Sequence, residues 1–191
     1  MTARTHDVFA FASLVTVANY YPPTHLNFYT LFASVVGNIV GALIPDMDEG
    51  GNRLWDLLPA GNSLGKVFRR VFYKHRTITH SFVGFYLIFR FLDWFLPKIF
   101  NSNFVDPKIV LISIMIGYLS HLLSDSFTEE GVPLFFPINF NFGIPPIKRM
   151  RIKTGEWFEK FVVFPAIGIY LVWFIGKHYE VLLRILKLVS S

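Results

Sequence analysis

The stretch "KIVLISIMIGYLSHLLSD", residues 108–125, decides how the chain is read. Up to Ser120 it carries a single charge, Lys108, and is otherwise almost wholly apolar. Taken whole it approaches the twenty or so residues that an α-helix needs to cross a bilayer. Yet it ends in His121 and Asp125, four residues apart and so on one helical face. Ionisable groups on an apolar membrane helix are costly, and they mark a functional site or a structural His–Asp hydrogen bond. The stretch therefore predicts a helix inside a membrane bundle, with a polar site at one end.

Composition agrees. The 191 residues are 53% hydrophobic, 18% aromatic and 16% charged, with a mean hydropathy of +0.46. A soluble domain has about 25% charged residues, so the surplus of apolar residues points to an integral membrane protein. Phenylalanine, tyrosine and tryptophan in such numbers suit lipid contact and interfacial anchoring. The chain has no cysteine, which excludes disulfides and thiolate metal sites and leaves nitrogen and oxygen as metal donors. The net charge of +5 records which loops stay in the cytoplasm, and nucleic acid is not an expected partner.

Four further apolar segments accompany residues 108–125. The first, roughly 7–20, superficially resembles a signal peptide, but "NYYPP" follows its apolar part where a small-residue cleavage site belongs, and it reads as a retained helix. The second, "NFYTLFASVVGNIVGALI" (27–44), spaces Gly37 and Gly41 as G-x-x-x-G, which permits close helix approach. The third runs from about Thr79 to Phe95, with Arg90 and Asp93 read as a structural pair. The last is "KFVVFPAIGIYLVWFIG" (160–176), with a kink expected at Pro165. Residues 177–191 read as an amphipathic interfacial helix. The fold expected is all-α: one polytopic membrane domain over 1–191, a bundle of four to five transmembrane helices.

Lysines and arginines crowd into the loops at 45–78 and 125–160, which places those loops and the N-terminus in the cytoplasm. On that same side fall His6, Asp46, Asp48, His75, His80, His121 and Asp125. Each has an ordinary alternative: a solvated helix stop for Asp46 and Asp48, interfacial polarity for His75 and His80. Their convergence is the signal. Imidazoles with carboxylates suit zinc above all, with manganese or iron as alternatives. Seven candidates exceed the four ligands of a closed structural zinc site, and leave room for one ion with an open position or for two ions. Arg76 offers a planar fork to a phosphate oxygen, or is a positive-inside loop charge. His25 and His178 lie on the other side and read as surface residues.

"RTH" (4–6), "GALIPDMDE" (41–49), "HRTITHS" (75–81) and "GYLSHLLSDSFTEEGVPLFFP" (117–137) resemble the YdjM-like family of inner-membrane metal-dependent hydrolases, some of them regulated by LexA. The resemblance implies a helical membrane protein of the inner membrane with a metal-dependent hydrolase assignment, and carries over the seven His and Asp positions above. The polar connection between Asp48 and His75 is a departure that leaves pocket shape and substrate open.

The reading that follows is a membrane hydrolase acting on a phosphoester, with lipid or another membrane-proximal phosphorylated molecule as substrate. Asp48, Arg76 and His80 are assigned to the reaction itself. A metal-ion transporter is the alternative, although the ligands sit at one end of the bundle and not near the midplane where transporter sites lie. A metal-stapled scaffold is the other. Glu129 and Glu130 are weaker acid/base candidates, and Lys148, Arg149, Arg151 and Lys153 either meet anionic headgroups in a lip over the site or belong to a cytoplasmic loop anchored by aromatics.

Overall fold

The computed structural model describes residues 1–48, 78–138 and 140–190. Among these, six α-helices and no named strand occur. They are α1 (Ala3–Tyr20), α2 (Phe28–Leu43), α3 (Phe82–Ile99), α4 (Pro107–Ser126), α5 (Phe164–Lys177) and α6 (Tyr179–Ser190). Short 3-10 turns, Pro45–Asp48 and Ile78–His80, close α2 and lead into α3.

Local chemistry sets the helix starts. Asn27 accepts a hydrogen bond from the Thr30 amide (2.8 Å) to begin α2, and Ser81 accepts from the Gly84 amide (3.1 Å) to begin α3. Asp106 caps α4 through the amides of Lys108 (2.8 Å) and Ile109 (3.3 Å), with Pro107 in the first turn where its missing N–H costs nothing.

Helix α4 is the axis of the bundle. Val110, Leu111, Ile114, Met115, Tyr118 and Leu122 bury its length against α1, α2 and α3. Its tightest contact is with α2. A Cβ on Gly41 would stand 2.0 Å from the Ile114 carbonyl oxygen, and one on Gly117 2.0 Å from that of Asn38. Two backbones meet here with no side chain between them, which is what the small-residue spacing in α2 anticipates. Asn38, fully buried, donates to the Ser113 carbonyl across the contact (3.1 Å).

Among the described residues, two segments are long and apolar enough to cross a membrane: α4, 20 residues, and the 19 residues of Glu159–Lys177. The first is mostly buried, the second mostly exposed at the rim of the bundle. In the second, the kink expected at Pro165 takes the form of a π turn, Glu159–Val163, just before it. That wider turn leaves room for the proline ring where an α turn would clash. Helix α2 is apolar over 16 residues, and α3 carries Arg90 and Asp93, 3.9 Å apart and both exposed. Helix α6 returns to the bundle and buries Ile185.

Candidate metal centre

Four chain segments deliver polar side chains to the C-terminal end of α4. Helix α1 brings His6 in its first turn, the turn after α2 brings Asp46, the turn before α3 brings His80, and α4 brings His121 and Asp125. His6, His80, His121 and Asp125 are each at most 2% exposed. Gly84 makes this possible at α3, because a Cβ there would stand 2.0 Å from the Ile78 carbonyl oxygen and push the His80 turn away.

The carboxylates lie between the rings. His6 Nε2 is 3.2 Å from Asp125 Oδ1, which the Met1 amino group also reaches at 2.5 Å. His80 Nε2 is 3.2 Å from Asp46 Oδ1 and 3.8 Å from Asp125 Oδ2. His121 Nε2 is 3.5 Å from both Asp46 Oδ1 and Asp125 Oδ2. The His6 and His121 rings stack with centroids 3.8 Å apart. Two donor groups result, His6–His121–Asp125 and Asp46–His80–His121, with the donor atoms of each within 4.8 Å of one another. They share His121.

The outer nitrogens explain why the inner ones converge. His121 Nδ1 donates to the Ala42 carbonyl at 2.6 Å. In a neutral ring this leaves a lone pair on Nε2, facing two carboxylate oxygens. Ser124 gives its one hydroxyl proton to the His121 carbonyl (2.9 Å), so toward His6 Nδ1, 2.8 Å away, it accepts. His6 Nε2 then also turns a lone pair toward Asp125. His80 Nδ1 is held by Thr79 Oγ1 at 3.2 Å, and the Thr79 carbonyl accepts from the Tyr118 hydroxyl. His121 Nε2 and Asp46 Oδ1 are sealed from solvent and make no hydrogen bond among the described residues. Imidazoles and carboxylates facing one another in a buried space need positive charge between them, a proton on a ring or a metal ion, and this donor set fits a divalent metal.

Electrostatics outside the helices point the same way. Burial pushes the Asp46 carboxyl up, but the His121 and His80 imidazoles more than offset this and hold it below the ordinary carboxylate range. Burial pushes His80 below the ordinary imidazole value despite Asp46 beside it. Asp46 anionic and His80 neutral are the states in which both act as metal ligands.

Of the seven expected ligands, five come together: His6, Asp46, His80, His121 and Asp125. His75 and Arg76 lie outside the described residues, as does the side chain of Asp48. Glu129 and Glu130 are in neither donor group. Arg151, expected at headgroups, instead donates to the Pro145 and Pro146 carbonyls at 2.7 and 3.0 Å and pins the 143–151 loop. His25 pairs with Asp106 and His178 follows α5, both at the opposite end of the bundle.

Glu159 escaped the reading of the sequence. It is fully buried; Oε1 accepts from the Thr2 amide and hydroxyl and from the Thr5 hydroxyl, and Oε2 from the Gly155 amide, all within 2.9 Å. It ties the first turn of α1, and so His6, to the start of the second long apolar segment. In sequence it is one acid among "EWFEK", where a carboxylate at a helix start is unremarked.

Comparison with known sequences bears on this geometry. The family model for the YdjM inner membrane protein matches residues 1–185. The chain belongs to the YdjM family. It is 30% identical over 178 residues to the inner membrane protein YdjM of Escherichia coli (strain K12), covering 91% of this chain and 82% of the relative. It is 32% identical over 163 residues to protein YvsG of Bacillus subtilis (strain 168), covering 85% and 88% respectively. No solved structure matches. Membership in a family of inner membrane proteins accounts for the apolar surface of α2, α3 and α5, where Phe32, Tyr86, Phe91, Ile169 and Val172 are all exposed.

Proposed function

We propose that the chain is a multi-pass inner-membrane hydrolase that uses a divalent metal to cleave a phosphoester of a lipid or another membrane-proximal molecule. The observation that carries the reading is the pair of donor groups sharing His121, with imidazole lone pairs turned toward carboxylates in a buried space. His6, His121 and Asp125 would hold one ion, and Asp46 and His80 would either complete its coordination or hold a second ion, since the one lone pair of His121 Nε2 serves a single ion. Zinc is the metal this nitrogen–oxygen set favours, ahead of manganese or iron. The metal supplies a Lewis acid and a water whose pKa falls to about 7.

The chain's own groups do the remainder. Ala42, Ser124 and Thr79 fix the three rings, and burial keeps bulk water out. His80, with Nε2 3.2 Å from Asp46, would either ligate a second ion or, where a single ion binds, hold a proton released in the reaction. Asp48 and Arg76 complete the assigned catalytic set. The helices α1 to α5 form the four or five spans, with the cluster on the cytoplasmic side, where Lys148, Arg149, Lys153 and Lys160 gather.

Elemental analysis and a hydrolysis assay test this together. Detergent-purified protein, prepared without chelator, is expected to carry at least about one metal per chain and to lose both metal and turnover as His121→Ala. Metal content near zero and unaffected by that substitution would overturn the reading. The depth of burial favours one competitor, a metal-stapled scaffold. Under it His80→Ala unfolds the protein, whereas the enzyme reading expects a folded variant without turnover.

A further inference from the structure

Two cavities lie along the seam between α1 and the helical segment 159–177. One is a groove of about 640 Å³ lined by Phe9, Ala12, Ser13, Thr16, Ala166 and Tyr170, among others, and almost wholly apolar. The second cavity, about 700 Å³, lies where α1 begins and is polar: Thr2, Arg4, Thr5 and Lys160 line it. From Phe9 to Val17, the groove's α1 wall runs about 12 Å at 1.5 Å per residue, and it starts about one helical turn beyond Thr5.

Small side chains make the groove. Ala12, Ser13 and Ala166 leave a trough that larger residues would fill. Thr16 and Tyr170 hydrogen-bond to each other (2.8 Å), so the groove's polar atoms are already satisfied and its wall asks for hydrocarbon. At the α1 start, the exposed Arg4 and Lys160 supply positive charge. The neighbouring acids are engaged: Glu159 is buried under four donors, Glu156 pairs with Lys153 at 3.6 Å, and Asp7, one turn beyond Arg4, has interactions of its own. A cationic, hydroxyl-lined end followed by an apolar trough has the polarity of one molecule, an anionic glycerophospholipid.

We propose that the α1–α5 seam binds a single anionic phospholipid, with its phosphate at Arg4 and Lys160 and an acyl chain in the groove beside Ala12, Ser13 and Ala166. The inference rests on the metal-hydrolase reading only in giving that site its lipid. Thr5 lines the polar cavity and shares the first turn of α1 with His6, so the cavity lies at the end of the bundle that carries the metal centre.

Native mass spectrometry of the detergent-solubilised full chain measures this directly, using chelator-treated protein so that binding is read without turnover. The probes are dioleoyl phosphatidylglycerol, dioleoyl phosphatidylcholine and glycerol 3-phosphate. Phosphatidylglycerol is expected to bind at one copy per chain, about tenfold more tightly than phosphatidylcholine. Arg4→Gln with Lys160→Gln should abolish that preference, and Ala166→Phe, at an exposed position, should weaken both lipids. Equal binding of the two lipids, indifference to the charge variants, or displacement of phosphatidylglycerol by equimolar glycerol 3-phosphate would overturn the proposal. Lipid binding by the chelator-treated protein, together with no turnover of any phosphoester by the metal-loaded protein, would end the hydrolase reading and leave this one standing. Turnover of a soluble phosphoester with no lipid preference would do the reverse.

Discussion

Helix α4 carries a histidine–aspartate pair at each end, and the two pairs have opposite fates. At its start His25 Nε2 meets Asp106 Oδ2 at 2.9 Å, with the His25 side chain 75% exposed. At its end His121 meets Asp125 at 3.5 Å with both side chains 1% exposed. The shorter contact is the less consequential one. Water can replace either partner of the first pair, so its worth is that of a surface ion pair, about 1 kcal/mol or less. No water replaces the second, where two further imidazoles and Asp46 crowd the same space. The residue types are the same, and burial separates a helix cap from a candidate metal centre.

The largest expected effect removes that difference at its source. Asp125→Ala leaves His6 and His121 without their shared carboxylate. It should bring metal content to background and cost about 3–5 kcal/mol, the scale for breaking one side of a buried charged pair. Metal analysis and thermal melting in detergent check both parts. Retention of full metal by Asp125→Ala would mean the buried end is no different in kind from the exposed one.

Next in size is the contact that holds the buried end in register. Gly41→Ala drives a methyl into the Ile114 carbonyl, 2.0 Å from where it would stand, so α2 and α4 must separate. The expected cost is about 1–3 kcal/mol, with weaker metal retention because Asp46 hangs from the end of α2. The His25–Asp106 pair should be indifferent. A variant that melts like the wild type would show that the helices have slack the structure does not suggest.

Much of this was legible in advance, for identifiable reasons. The apolar runs and the G-x-x-x-G spacing report directly on a bundle whose helices touch through glycine, and the i,i+4 step of His121 and Asp125 reports on a shared face. The burial of His6 has no signal in the sequence, because proximity to the start of a chain says nothing about burial. Its place depends on Ser124 and on the stacking with His121, both long-range. Glu159 was invisible for the same reason: three of its four hydrogen bonds come from Thr2 and Thr5, which only the packing of α1 against the 159–177 segment brings near, and the fourth is local, from Gly155. Arg151 was misplaced because positive charge near a membrane suggests headgroups, while its actual partners are backbone carbonyls of the Pro145–Pro146 turn.

Glu159 therefore supplies a finer test of how far the buried end extends. Glu159→Ala would leave the buried Thr5 hydroxyl and the Thr2 and Gly155 amides short of an acceptor and loosen the turn that carries His6. Metal affinity should fall by about tenfold or more, as for groups that orient ligands without touching the ion. Glu159→Gln, which keeps one carbonyl oxygen for the Thr donors, should recover part of it. Isothermal titration of chelator-treated protein with zinc separates the two variants. Equal affinity in wild type and Glu159→Ala would confine the site to the five clustered residues.

The smallest effect belongs to the exposed end, and it has a definite sign. Burial pushes Asp106 up, but hydrogen bonds from His25 and from the Lys108 and Ile109 amides together outweigh it and hold the carboxyl below its ordinary value. A carboxylate depressed in the folded state stabilises in its charged form. That contribution is complete above the unfolded value of about 3.9 and fades as pH drops through the lower folded value. Asp106→Asn keeps an acceptor for the first turn of α4 and removes the titration. At pH 7 the variant should be less stable by about 1 kcal/mol or less, and the gap should close as pH falls toward 3. Melting curves of the two proteins in parallel at several pH values measure that gap alone, since every other acid is common to both. A gap that is constant or widens in acid would mean that Asp106 acts as a neutral cap. In that case the charge of the pair at the start of α4 would contribute nothing, and the contrast with the pair at its end would be complete.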